Sequence, residues 1–177
     1  MRCKILAAVL AICFLLSGCT GKKIQAEDLD FQFDCKVDVH CSAGDFTCSF
    51  QRTGPKIASL QIISGGAEGL SWNWNGNGFT MLYQDLAVNH ENCPLPQDSF
   101  ACVLVDTLDE AAKRDALTPT HGNEFSGNAG YDYTLTADLE TGKILTLSVP
   151  ECGVKAEFYD YAQETAEAQL NLDAIPD

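Results

Sequence analysis

The sequence predicts an α+β domain, mainly antiparallel β, in which a meandering sheet packs on one amphipathic helix. Three observations carry that prediction. Residues 31–41 alternate strictly between apolar and polar, the period of a strand with one buried face. Residues 70–83 read as an aromatic hairpin folded at Asn75-Gly76-Asn77-Gly78, residue types that tolerate the positive φ of tight turns. One stretch, residues 100–112, repeats its apolar residues at three- and four-residue spacing.

The first strand puts Phe31, Phe33, Cys35, Val37, Val39 and Cys41 on one face, with Gln32, Asp34, Lys36, Asp38 and His40 on the other. Ser42-Ala43-Gly44-Asp45 is a turn sequence, and Phe46, Cys48 and Phe50 then return to the same interior. Taking those four residues as the loop sets Cys41 opposite Phe46 and Val39 opposite Cys48, both apolar pairs. Gly54-Pro55 breaks the ladder, 57–63 makes a third strand, and 64–69 is a glycine-rich connection. In the aromatic hairpin the expected pairs are Trp74 with Phe79, Trp72 with Met81 and Leu70 with Tyr83, all on one face.

Pro94 and Pro96 end the meander, and Asp98 or Ser99 caps the helix. Its apolar stripe is Phe100, Ala101, Leu104, Val105, Leu108, Ala111 and Ala112, set against Asp106, Asp109, Glu110, Lys113 and Arg114, with an end near Asp115. Residues 117–130 read as a long polar loop. Strands resume at 131–137 and 145–149. A three-residue turn bulged at Gly142 pairs Ala137 with Leu145 and Leu135 with Leu147. A last strand runs from Val154 to about Tyr161, and residues 162–177 form an acidic tail.

The first 18 residues have a different character. Arg2 and Lys4 precede an apolar run over 5–16, shorter than the roughly 20 residues of a membrane-spanning helix. These are the parts of an export signal. Leu16-Ser17-Gly18-Cys19 resembles the bacterial lipobox, which implies a diacylglycerol-modified thiol on Cys19 and cleavage before it. The expected organisation is therefore a signal peptide over 1–18, a lipidated cysteine and tether over 19–30, one β-rich domain over 31–161, and the tail. The implied location is the cell membrane, lipid-anchored on the extracytoplasmic face.

The chain carries 11 basic and 25 acidic residues, a net charge of −14. Without Arg2 and Lys4, 9 basic residues face 25 acidic ones, a net charge near −16. Such a field repels phosphate backbones, so no nucleic-acid partner is expected. Of nine cysteines, six lie beyond Cys19: Cys35, Cys41, Cys48, Cys93, Cys102 and Cys152. An even number in an exported chain permits three bridges, while Cys35, Cys41 and Cys48 also sit where small core hydrophobes would. The disulfide the pattern favours is Cys41 with Cys48, across the first hairpin.

The order of elements, a lipobox, about six meandering strands, one helix and three more strands, resembles small lipoproteins of Gram-positive gut bacteria. So do Gly69-Leu70 opening the aromatic hairpin and Thr141-Gly142-Lys143 turning the late one. More remotely it resembles the LolA, LolB and LppX-like lipoprotein carriers. That likeness implies a curved sheet, an open half-barrel, wrapped about the helix and enclosing an apolar cavity.

No catalytic constellation stands out. His40 lies on the polar face of its strand, His90-Glu91 lacks the second histidine of a zincin, and His121 sits in the long loop. Cys93, in Asn92-Cys93-Pro94, is a candidate thiol with Cys102 as its disulfide partner, but this acidic chain offers little to lower its pKa. No enzyme activity, cofactor or metal is therefore expected. The expected function is a binding or carrier module for a lipid-like or amphipathic molecule. Candidate lining residues are Trp72, Trp74, Phe79, Met81 and Tyr83 from the hairpin, and Leu104 and Leu108 from the helix. The alternative is a structural or interaction lipoprotein of the cell envelope with a filled core, meeting another envelope protein through residues 117–130 and the tail.

Overall fold

In a computed structural model of the chain, residues 25–91 and 99–162 are described. The strands are β1 (Phe33–Cys41), β2 (Gly44–Gly54), β3 (Ile57–Ser64), β4 (Ser71–Asn75), β5 (Gly78–Tyr83) and β6 (Leu86–Glu91), followed by helix α1 (Phe100–Ala111). After the helix come β7 (Thr118–Pro119), β8 (Glu124–Asn128), β9 (Asp132–Ala137), β10 (Ile144–Val149) and β11 (Val154–Tyr159). All eleven form one open sheet in the order β6-β5-β4-β3-β2-β1-β11-β10-β9-β8-β7, with every strand pairing antiparallel. Among the described residues the fold class is α+β, mainly antiparallel β with one α-helix. Two meanders meet where β1 pairs with β11, so the first and last strands sit together at the middle of the sheet.

Period-two patterning places one apolar row after another on the same face. Phe125, Leu135, Leu147, Ala156, Val39 and Phe46 are directly opposed across six strands. A second row runs outward from the centre through Cys35, Phe50, Leu60, Trp72, Met81 and Val88. Helix α1 supplies the other side of the core, and nine of its twelve residues are buried. Val103, Val105 and Thr107 are poor helix formers, so packing rather than propensity holds this segment helical. Phe100 anchors it, stacking on Phe46 at 5.2 Å between ring centroids and meeting Trp72 edge-on at 5.6 Å.

Several expectations are corrected. The first hairpin turns through Ser42 and Ala43 alone, pairing Cys41 with Gly44, Val39 with Phe46 and Val37 with Cys48. Cys41 and Cys48 are therefore not opposed, and both carry free thiols. Residues 117–130 contain β7 and β8, held by backbone pairing to each other and to β9. Phe125 is the buried anchor there, and Gly127 makes room for the Tyr133 hydroxyl, which would lie 2.2 Å from any Cβ at that position. The helix stops at Ala111, with Ser99 as N-cap residue but no side-chain cap bond. In the late hairpin Leu135 does face Leu147, but Ala137 faces Ile144, and the irregularity falls between Ile144 and Thr146. Gly142 has φ +74°, and a Cβ there would meet the Asp28 carbonyl oxygen at 2.3 Å. The stretch before β1 is pinned at this turn, where the Asp30 N–H donates to the Gly142 carbonyl at 3.1 Å.

Candidate functional site: an apolar depression at the β5–β6 edge

The second apolar row does not stop where the core stops. Cys35, Phe50, Leu60 and Trp72 are buried, Met81 is half-buried, and Val88 in the edge strand is 39% exposed. Leu86, opposite Tyr83 on the same face, is 70% exposed. Burial thus fades along one continuous row while its chemistry stays apolar. Together with Ala67 and Leu70, the residues Met81, Tyr83, Leu86 and Val88 line an open depression of about 330 Å³. Its volume falls in the range of small-molecule sites, roughly 300–1,000 Å³.

Local sequence explains the geometry. Trp72 and Trp74 share one face of β4 because they are two residues apart, and Ser71, Asn73 and Asn75 take the other. The Asn75 carboxamide oxygen accepts the Asn77 and Gly78 N–H groups at 3.1 and 3.0 Å, folding the turn so that Trp74 faces Phe79 and Trp72 faces Met81. Gln84 takes φ +53° in the two-residue turn from β5 to β6, which brings Leu86 back against Tyr83.

The structure divides the expected lining residues. Met81 and Tyr83 line the depression. Trp72 and Phe79 are each 5% exposed and belong to the core, as do the fully buried Leu104 and Leu108. Trp74 is half-buried beside Phe79, with ring centroids 6.5 Å apart. Leu70, Leu86 and Val88 are lining residues that the sequence reading does not single out. Leu86 and Val88 stand in the run Leu86-Ala87-Val88, which is too short and lacks the apolar-polar alternation that marks a strand, while Leu70 lies just ahead of the aromatic hairpin.

Burial pushes the Cys35 and Cys48 thiols up to about 12, with Asp34 and Asp38 adding to the respective shifts, so neither is a nucleophile at neutral pH. Burial likewise pushes the Tyr133 phenol up to about 12. His40 Nδ1 lies 2.9 Å from Asp45 Oδ1 on the exposed face of the first hairpin, and His121 is exposed. Among the described residues no group of three or more His, Cys, Asp or Glu is placed to hold a metal ion. Cys19, Cys93 and the tail beyond Ala162 lie outside the described residues.

Among the described residues, an open antiparallel sheet with one α-helix and an apolar edge depression is the class these observations define. No protein-family model matches the chain, and no curated protein matches it. Among solved structures it is similar to an uncharacterized conserved protein from Thermus thermophilus, at a TM-score of 0.48 and 11% identity, over 81% of this chain and 85% of that one. No helix among the described residues is long and apolar enough to cross a membrane.

Proposed function

We propose that this chain is an extracytoplasmic lipoprotein, anchored through lipid on Cys19, whose domain binds a lipid-like or amphipathic molecule without transforming it. The observation that carries the reading is the apolar row that leaves the core at Trp72 and continues through Met81 to the exposed Val88. Exposed apolar surface continuous with a lined depression is the signature of a site for an apolar ligand. The sheet curves as an open half-barrel around an amphipathic α1, a reading supported by the burial of nine helix residues and by Asp106, Asp109 and Glu110 forming its less buried strip. Leu104 and Leu108 then close the core, and the ligand's tail lies at the sheet's edge beyond them.

The chain's net charge of −14 disfavours anionic headgroups. A cationic, zwitterionic or uncharged head on an apolar tail fits the surroundings, where Glu68 and Asp85 neighbour the lining residues Ala67 and Leu86 in sequence. The test is titration with a fluorescent single-chain amphiphile. Leu86→Glu leaves the fold intact, because Leu86 is 70% exposed. It weakens binding by about tenfold or more, since a buried leucine contact contributes roughly 1.5–3 kcal/mol and about 1.4 kcal/mol is one decade in affinity. Equal, saturable binding by the native chain and Leu86→Glu would place the ligand elsewhere; no binding by either would remove the carrier reading.

A further inference from the structure

We infer that β6 is a docking edge for a second copy of this chain, the two β6 strands pairing antiparallel about a two-fold axis at Ala87. The two ends of the sheet are built differently. The β7 edge is two residues long and contains Pro119, which has no N–H to offer an incoming strand. The β6 edge is six residues long, Leu-Ala-Val-Asn-His-Glu, with no proline and no lysine, and among the described residues nothing pairs with its outer side. An edge without such protection is a template for strand addition.

The backbone fixes which residues receive the partner. Tyr83 and Leu86 close a two-residue turn and exchange the first ladder bonds, so alternate residues from Leu86 onward bond to β5. Ala87 and Asn89 therefore direct their N–H and C=O groups to the open side. Pairing Ala87 with its own symmetry mate satisfies those groups twice over. In that register Leu86 faces Val88 of the second copy and Val88 faces its Leu86, two apolar pairs among side chains now 70% and 39% exposed. The Asp85 carboxylate faces Asn89 of the second copy, whose amide nitrogen is left to donate because its oxygen already accepts from Thr80 at 2.7 Å. Sliding the pair by two residues in one direction would set Asp85 opposite Glu91, two acids; sliding it in the other would set Leu86 opposite Leu86 but leave Val88 opposite Gln84 of the turn, and both slides lose the Leu–Val matches. The sequence of the edge is thus complementary to itself in one register, which selects a second copy over an unrelated extended segment. The two-fold also brings both apolar depressions onto the same side, where they join into one trough.

Leu86 and Val88 belong to both the pairing and the depression, but a cross-link at Ala87 reads the pairing alone, because the side chain of Ala87 lies on the face opposite the depression. The test is oxidative cross-linking of the full chain carrying Ala87→Cys, with the native chain and Gln61→Cys, exposed in the middle of the same outer face, as controls. Directly opposed residues in a hydrogen-bonded antiparallel pair have Cα atoms about 5.5 Å apart, within disulfide reach. The expected result is a covalent dimer for Ala87→Cys well above both controls. Sedimentation of the native chain should also show a concentration-dependent dimer, lost on Ala87→Pro, which removes the outward N–H without touching the β5 ladder. If Ala87→Cys cross-links no more than Gln61→Cys, the self-pairing is overturned and the edge is left to a strand from another protein. A dimer that persists in Ala87→Pro overturns it equally.

Discussion

Arg52 joins three separated stretches of chain from inside the core. Its side chain is 1% exposed, and its Nη2 donates to Asp109 Oδ1 on α1 at 2.7 Å while Nη1 donates to the Phe31 carbonyl. The second oxygen of Asp109 accepts the Lys56 N–H at 2.9 Å, so the β2–β3 turn is tied to the same carboxylate. Removing one partner of a buried ion pair costs about 3–5 kcal/mol, because the other charge is left uncompensated. Arg52→Ala should therefore lower stability by that amount in urea denaturation, and Asp109→Ala added to it should cost little more. A loss under about 1 kcal/mol for Arg52→Ala would mean the pair is not coupled to folding. The inward position of Arg52 is legible in the sequence, since it continues the parity of Phe46, Cys48 and Phe50, but its partner is not. Asp109 reads from sequence as one polar residue on a helix face, and only the tertiary fold brings it to Arg52.

Hairpins expose a different limit of the sequence. A one-residue slip turns every side chain to the other face, so the apolar pattern detects it; a two-residue slip preserves the faces and goes unseen. That is why pairing Val39 with Cys48 and pairing it with Phe46 are equally apolar, and why the pattern alone admits a Cys41–Cys48 disulfide. In the aromatic hairpin, by contrast, the Asn-Gly turn fixes the loop and both Trp pairs fall as the sequence implies. The turn from β9 to β10 is organised by Asp138, whose Oδ1 accepts from the Glu140 and Thr141 N–H groups at 2.9 and 2.7 Å and from Thr141 Oγ1 at 2.9 Å. Those bonds hold its carboxyl below the usual carboxylate range. A depressed folded pKa contributes stability above the unfolded value, about 3.9, and that contribution is lost as pH falls through the folded one. Asp138→Ala should thus be less stable than the native chain at neutral pH, with the gap closing in acid below about pH 4. Denaturation midpoints across pH give the answer; a gap that stays constant into acid would show that the carboxylate's charge plays no part.

At the scale of the molecule, strand content and the one helix are written in local periodicity, but strand order is not. No local signal announces that β1 pairs with β11, because that contact joins residues more than a hundred positions apart. Nor does the pattern announce β7 and β8, whose only large buried apolar residue is Phe125 and whose strand character comes from the pairing of β8 with β9 and of β7 with β8. The candidate site is a consequence of that order. Once the β1–β6 meander sits on one side of the central pair, its last two strands carry the apolar row to the sheet's end, where the core becomes surface. We propose that this end holds an amphiphile. The decisive experiment is native mass spectrometry of the full chain, purified without denaturant. The expected result is a non-covalent adduct of defined mass that disappears on denaturation and is depleted in Leu86→Glu. A protein that carries no such adduct, and takes none up when single-chain amphiphiles are added, has no amphiphile site at this end.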